Sequence, residues 1–286
     1  AYVTRESDRD NHRRVRVFDW VDGHWWQRGG DIFTDETAQS ASHYSIIDAD
    51  LNSDGNSLCI AELRFERSGL NSWWTGVFDW DGTLVDSTAH IAKSIQNAYA
   101  DNDLPVPNEA AAKHVIGLGL VDTFNYLSPD LTKEQHLGIV NRYRHHFLDA
   151  DKTIHSFKHV TEGLQNLVDR NYLLAVATGK SREGLDRALT KVDFGHMFSI
   201  TRCGDEGFPK PNPDMLNFIM DDLGVFPDRT LMIGDPTHDL LLAHNAKTKS
   251  IGVTYGAHEK NKLAALNPLA CVDSFEELMA WLLENG

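Results

Sequence analysis

Val77-Phe78-Asp79-Trp80-Asp81-Gly82-Thr83-Leu84-Val85-Asp86-Ser87 is the stretch whose reading decides the fold. An apolar run breaks off at two aspartates spaced two apart, and a Gly-Thr pair then turns the chain. Its first four letters also occur at Val17-Phe18-Asp19-Trp20, where they continue as Val21-Asp22-Gly23 and no threonine follows the glycine. Only the second copy has the form of a strand that ends in a chemically equipped loop. Asp19 is therefore excluded as a second nucleophile.

Working outward, the character of the chain changes near residue 73. Downstream, apolar runs alternate with amphipathic segments of helical length. The runs are WWTGVFD, YLLAVAT, HMFSI, TLMIG, KSIGVTY and a short LACVD. Such alternation predicts an α/β fold, Rossmann-like, with a mainly parallel sheet covered by helices on both faces. Between residues 88 and 157 only helical patterns occur: IAKSIQNAYA, NEAAAKHVI, VDTFNYL and KEQHLGIVNRYRHHFLDA. This interval predicts a helical cap inserted after the first strand. The expected organisation is a core of residues 73–87 and 158–286, a cap of 88–157 and a short β-rich extension of 1–72.

In open α/β sheets ligands lie at the carboxyl ends of the strands. Four strand ends or following loops carry polar groups: Asp79-Trp80-Asp81, Thr178-Gly179-Lys180, Pro209-Lys210-Pro211 and Gly234-Asp235 through Asp239. Gathered at one edge, they suit phosphoryl transfer. A carboxylate can attack phosphorus, and a second two residues on can protonate the leaving oxygen and then activate water. Clustered carboxylates call for a hard cation such as Mg²⁺. A lysine and a threonine can hold the non-bridging oxygens.

With these motifs in order, residues 74–286 resemble the haloacid dehalogenase (HAD) superfamily, in its phosphoglycolate-phosphatase-like branch. The resemblance implies Asp79 as nucleophile and Asp81 as general acid/base. It implies Thr178, Gly179 and Lys210 around the phosphoryl group, and Mg²⁺ held by Asp79, the Asp81 carbonyl and Asp235, with Asp239 a metal partner behind these ligands or through water. Relatives carry Ser or Thr after the Gly-Asp of the fourth motif, whereas this chain has Pro236, which puts the shape of that loop in question. Aspartate at 81 selects phosphate esters over halides and phosphonates. Ile116-Gly117-Leu118-Gly119-Leu120 reads either as a turn between cap helices or, as in relatives, as a loop descending onto substrate.

Other residues have plainer readings. Asp86 and Ser87 are expected to cap the first cap helix. Arg142, Arg144, His145 and His146 read as a solvated helix face. Lys180 reads as a rim lysine outside the catalytic set, while Lys210, stiffened by flanking prolines, reads as functional.

Residues 1–72 resemble one repeat of a bacterial β-propeller-like family, through VRVFDWVDGHWWQRGGDI and LNSDGNSLCIAEL. One such unit cannot bury its own apolar faces, so this segment is expected to be dispensable for catalysis. Its tryptophans, with Trp73 and Trp74, read as packing residues. Asp50-Leu51-Asn52-Ser53-Asp54-Gly55 opens like a calcium loop, but the twelfth position is Ala61, and an Asp-Gly hairpin accounts for the same letters.

A net charge of −15 argues against nucleic acid and anionic membrane as partners. No apolar run is long enough to span a bilayer. Cys59, Cys203 and Cys271 form no CxxC and read as reduced thiols of a cytoplasmic protein. The chain begins with Ala1, not Met, which leaves room for an upstream segment. The expected function is Mg²⁺-dependent hydrolysis of a small phosphorylated metabolite, phosphoglycolate-like or a sugar phosphate. A β-phosphoglucomutase-like phosphomutase is the alternative within the same chemistry. A calcium-binding or adhesive propeller fragment is the alternative outside it. Substrate and oligomeric state are left open.

Overall fold

The computed structural model describes residues 75–148 and 155–285 in full, the backbone of 149 and 150, and the backbone of six strands between residues 2 and 66. The chain divides into two compact units, Ala1–Asn71 and Ser72–Gly286.

In the first unit, β1 (Tyr2–Ser7), β3 (His24–Gln27) and β4 (Ile32–Phe33) pair antiparallel with β2 (Arg13–Val21). β5 (His43–Leu51) and β6 (Leu58–Glu66) form an antiparallel pair in which Leu51 faces Leu58. That register agrees with the hairpin reading of the Asp-Gly sequence. Residues 52–57, on which the calcium reading turns, lie outside the described residues, as do Trp73 and Trp74. Asp19 sits within β2 opposite Trp26, so the first VFDW copy is mid-strand and the second is at a strand end.

The second unit is built on a six-stranded, all-parallel sheet. Its strands are β7 (Thr75–Phe78), β8 (Leu173–Thr178), β9 (Ile200–Cys203), β10 (Thr230–Gly234), β11 (Lys249–Val253) and β12 (Ala270–Val272). Their order in the sheet is β12-β11-β10-β7-β8-β9. The order reverses between β7 and β10, and the crevice at such a switch point is where ligands bind.

Successive strand residues point to opposite faces, and both faces are covered. Phe78, Val176 and Ile233 pack with α5 (Val160–Asp169) and α10 (Phe275–Asn285). Val77, Ala175 and Met232 pack with α7 (Asp214–Leu223) and α8 (Thr237–Asn245). This two-sided burial explains why the strands read as continuous apolar runs. The third strand is the exception: it was expected at HMFSI, but it begins at Ile200 and runs through Thr201, Arg202 and Cys203, while residues 195–197 form a 3₁₀ turn.

The interval expected to be a cap is helical: α1 (Thr88–Ala100), α2 (Glu109–His114), α3 (Leu120–Leu127) and α4 (Lys133–Ala150). These helices share their own apolar centre of Ile95, Ala98, Tyr99, Phe124, Ile139 and Phe147. The chain leaves and re-enters the sheet side by side. Val85 bridges Ser156, the Asp86 amide donates to the His155 carbonyl (2.9 Å), and the Phe157 amide donates to the Leu84 carbonyl (3.0 Å). No helix among the described residues is long and apolar enough to cross a membrane.

Candidate active site

Past β7 the chain keeps the two-residue alternation of a strand for three more positions. Asp79 and Asp81 turn to one side, and Trp80 turns to the other, where it packs against Phe194 with ring centres 5.9 Å apart. Gly82 then takes φ +81°, and its amide donates to the Val85 carbonyl (2.8 Å). A Cβ at Gly82 would collide with the Asp235 carboxylate, so conformation and close approach both require glycine there.

Asp79, Asp235 and Asp239 converge, each with a carboxylate oxygen within 4.8 Å of the others, and all three are buried. Asp239 lies in the first turn of α8, where the helix dipole favours a negative charge. Asp235 accepts from the Thr83 hydroxyl (2.9 Å) and the Ala257 amide (2.7 Å). Lys210 is as buried as its partners, with Nζ 3.1 Å from Asp79 Oδ1 and 2.6 Å from Asp239 Oδ1.

Burial raises the pKa of Asp79 against the opposing pull of Lys210, and raises Asp239 likewise. Burial, with Asp79 adding to it, pushes Asp235 up to about 7. Burial works against the Lys210 ammonium, but Asp239 and Asp79 outweigh it and its pKa rises.

Fully ionised, three carboxylates and one ammonium would leave two negative charges in excess, a deficit that burial opposes unless a cation is held there. The buried oxygens of Asp79 and Asp239 have ion pairs but no well-aligned hydrogen bond. An all-oxygen set with that deficit fits a hard divalent cation.

Asp81 stands beside this cluster with two partners that sequence reasoning missed. The Ser87 hydroxyl donates to Asp81 Oδ1 (2.6 Å), and Lys180 Nζ reaches Oδ1 (2.9 Å) and Oδ2 (2.8 Å). Ser87 was expected to cap α1, yet its side chain makes no capping bond because it is spent on Asp81, and Asp86 is exposed at the surface. Lys180 was expected at the rim. Instead its ammonium also lies 4.7 Å from the centre of the Phe147 ring on α4, joining the acid/base candidate to the helical insert. The signal was faint: a lysine two residues after Thr178.

Thr178 ends β8, is 1% exposed, and its hydroxyl accepts from the Lys180 amide (3.2 Å). The segment from Gly117 to Gly119 links α2 to α3 and also reaches the site. A Cβ on Gly117 would stand 2.7 Å from the Pro236 ring and 3.8 Å from Asp79 Oδ2. A Cβ on Gly179 would stand 2.5 Å from the Gly117 carbonyl and 2.6 Å from that of Leu118. Pro236 precedes α8 and leaves Asp235 and Asp239 together. Its ring is the surface on which Gly117 rests.

Histidines stitch the insert to the sheet unit nearby. The His114 carbonyl at the end of α2 accepts from His238 Nε2 and His258 Nε2, both at 3.1 Å. His258 Nδ1 in turn accepts from the Thr237 amide (3.0 Å), which fixes the neutral tautomer. Burial pushes this imidazole down to about 4.

Arg142 and His146 pair with Asp101 on the exposed side of the insert, as a solvated face should. Arg144 is exposed too, and it also lines the cavity at the site. Cys203 is buried, and burial pushes its thiol up to about 12, an inert state.

Residues 77–253 match the family model described as haloacid dehalogenase-like hydrolase. A protein of Dickeya dadantii named probable phosphatase IndB is 34% identical over 210 residues, covering 71% of this chain and 90% of its own. The pyrophosphatase PpaX of Oceanobacillus iheyensis is 30% identical over 206 residues, covering 72% and 94%. The crystal structure of a predicted phosphoglycolate phosphatase from Haemophilus somnus superposes with a TM-score of 0.66 at 26% identity, over 75% of this chain and all of that one. The extended match, the parallel sheet and the buried aspartates at its switch point have one meaning: this chain belongs to the haloacid dehalogenase-like hydrolases.

Proposed function

We propose that the chain is a Mg²⁺-dependent phosphatase that hydrolyses a small phosphomonoester through a phosphoaspartyl intermediate. The observation that carries this reading is the buried trio Asp79, Asp235 and Asp239 around a single Lys210, with Asp81 held at its side. An Asp79 oxygen attacks phosphorus, and the ester P–O bond breaks. Its electron pair leaves with the alcohol oxygen, which takes the proton from Asp81. Asp81 then removes a proton from water, which attacks the acyl phosphate and returns Asp79. Lys210, the Thr178 hydroxyl and the Gly179 backbone hold the phosphoryl oxygens. The Asp79, Asp235 and Asp239 carboxylates, with the Asp81 carbonyl, would hold Mg²⁺, which neutralises charge on the phosphoryl group. The Gly117–Gly119 segment covers the substrate from above.

Phosphate release by the purified chain is expected with Mg²⁺, to vanish with chelator, and to return on re-addition of Mg²⁺. Ca²⁺ is expected to restore little, because its larger and looser shell misplaces Asp79. Full turnover in excess chelator would remove the metal from the mechanism. Turnover only with a bisphosphate primer would favour the phosphomutase.

Lys180 acts here by positioning Asp81. Lys180→Met is expected to lower kcat by up to about a hundredfold, more for esters with poor leaving groups, and Lys180→Arg to recover part of the loss. An unchanged kcat in Lys180→Met would show that Ser87 alone orients Asp81.

Residues 1–72 fall outside these requirements. The relatives are matched over 90% and 94% of their own length by under three-quarters of this chain. A chain starting at Ser72 is expected to stay soluble and to keep its kcat within a small factor. Lost activity in a folded truncated chain would join the first unit to the enzyme.

A further inference from the structure

Between the sheet and the helical insert a cavity of about 130 Å³ opens directly from Asp79 and Asp81. An alcohol whose phosphoryl group sits at Asp79 would extend into it, since Asp79 and Asp81 both line it. Its walls are Ile91 and Ile95 of α1, Ile116, Leu120 of α3, and Tyr143 and Phe147 of α4. Thus several helices of the insert turn hydrocarbon or aromatic surface towards the leaving group.

The hydroxyls around the cavity are few and partly committed. Thr123 donates to the Val115 carbonyl (3.4 Å), and Ser181 accepts from the Gly184 amide (3.3 Å). The Lys180 ammonium is taken by Asp81 and Phe147. Arg144, Glu183 and Arg187 also line the cavity; the first two are exposed to solvent, and Arg187, half-buried, is already engaged. The Tyr143 phenol is left. Burial, with the nearby Asp81 carboxylate adding to it, raises its pKa, so it stays a neutral donor. It can offer one hydrogen bond close to the ester oxygen.

A sugar or polyol placed here would exchange its water-bonded hydroxyls for hydrocarbon, and those hydroxyls would lack partners. An alkyl or aryl group loses nothing comparable and gains burial. We propose that this site takes phosphomonoesters whose leaving alcohol bears a compact apolar or aromatic group, in preference to sugar phosphates, polyol phosphates and phosphoglycolate. The proposal rests on the phosphatase reading above and narrows its substrate class. The reaction is hydrolysis, in which water supplies the oxygen bound to phosphorus and the proton gained by the alcohol.

The test compares kcat/KM for the full chain with Mg²⁺ on esters of similar leaving ability. Benzyl phosphate and 3-methylbutyl phosphate stand on one side. Glycerol 3-phosphate, glucose 6-phosphate and phosphoglycolate stand on the other. The apolar esters are expected to lead by about tenfold or more, the scale on which an apolar pocket discriminates. Leu120→Asn, at a half-buried wall position, is expected to shrink that ratio several-fold whatever its effect on absolute rate. Sugar phosphates or phosphoglycolate equalling or surpassing the apolar esters would overturn the proposal and leave the phosphatase reading standing. An unchanged ratio in Leu120→Asn would also overturn it. Release of phosphate from none of the five esters would overturn both readings together.

Discussion

Asp79→Asn is expected to lower kcat for phosphate release by about four orders of magnitude or more, the scale seen when a covalent nucleophile is removed. The amide has the shape of the carboxylate but no lone pair basic enough to attack phosphorus. The fold is expected to persist for two reasons. The substitution removes a charge that burial already disfavours. Lys210 also keeps its shorter contact with Asp239, at 2.6 Å against 3.1 Å to Asp79. The variant therefore separates chemistry from stability, and a thermal melt beside the rate measurement checks both. Retention of more than about a per cent of the wild-type kcat would mean that phosphorus is attacked by something other than Asp79.

Lys210→Met is expected to damage activity and stability together. Lys210, Asp79 and Asp239 are fully buried, and Lys210 is the cation that faces both carboxylates among the described residues. Methionine fills similar space but leaves two buried carboxylates facing each other. Breaking a buried ion pair from one side costs about 3–5 kcal/mol. Urea unfolding should show a loss of that size in chelator. Mg²⁺ binds only the folded arrangement of carboxylates, so adding it should recover part of the loss by mass action. Activity should stay low even then, because the phosphoryl oxygens have lost their ammonium partner. An unfolding free energy equal to wild type in chelator would show that Asp79 and Asp239 take up protons at little cost, and that the trio is not held as charges.

These expectations draw on parts of the molecule that differ in how plainly the sequence announces them. β7, β8 and β10 are covered on both faces, so their residues are mostly apolar at successive positions, and each ends at or one residue before an aspartate, threonine or glycine. β9 lies at the sheet edge. Its Arg202 reaches Asp214 (3.5 Å) and lies over the Phe218 ring, and Thr201 accepts from Arg182 (2.7 Å). Polar side chains that bond to neighbouring helices hide the strand, and the apolar text just before it reads more like one.

The site divides in the same way. Asp79, Asp81, Thr178, Lys210, Asp235 and Asp239 stand in or beside strand-end loops, so one topological rule gathers them. Lys180 and Ser87 are different. Lys180 meets Asp81 from 99 positions away, and nothing local to either residue indicates the contact. Ser87 sits where a capping residue would, and local rules assign it to the helix. Only the folded turn after Gly82 shows that Asp81 claims its hydroxyl. The histidine contacts to His114 span 124 and 144 positions and were equally invisible.

The paired crossing at Val85 and Ser156 has a consequence for how such an enzyme changes its diet. Because exit and return are bonded to each other, everything between them is a cassette on one doorway. Insertions whose ends meet at the surface are well tolerated. The cassette carries most of the apolar residues that line the cavity, while Asp79, Lys210, Asp235 and Asp239 stay with the sheet. A recombinant that exchanges residues 88–155 for the corresponding stretch of a relative is expected to change ester preference while leaving Asp79 and the Ser87 contact to Asp81 in place.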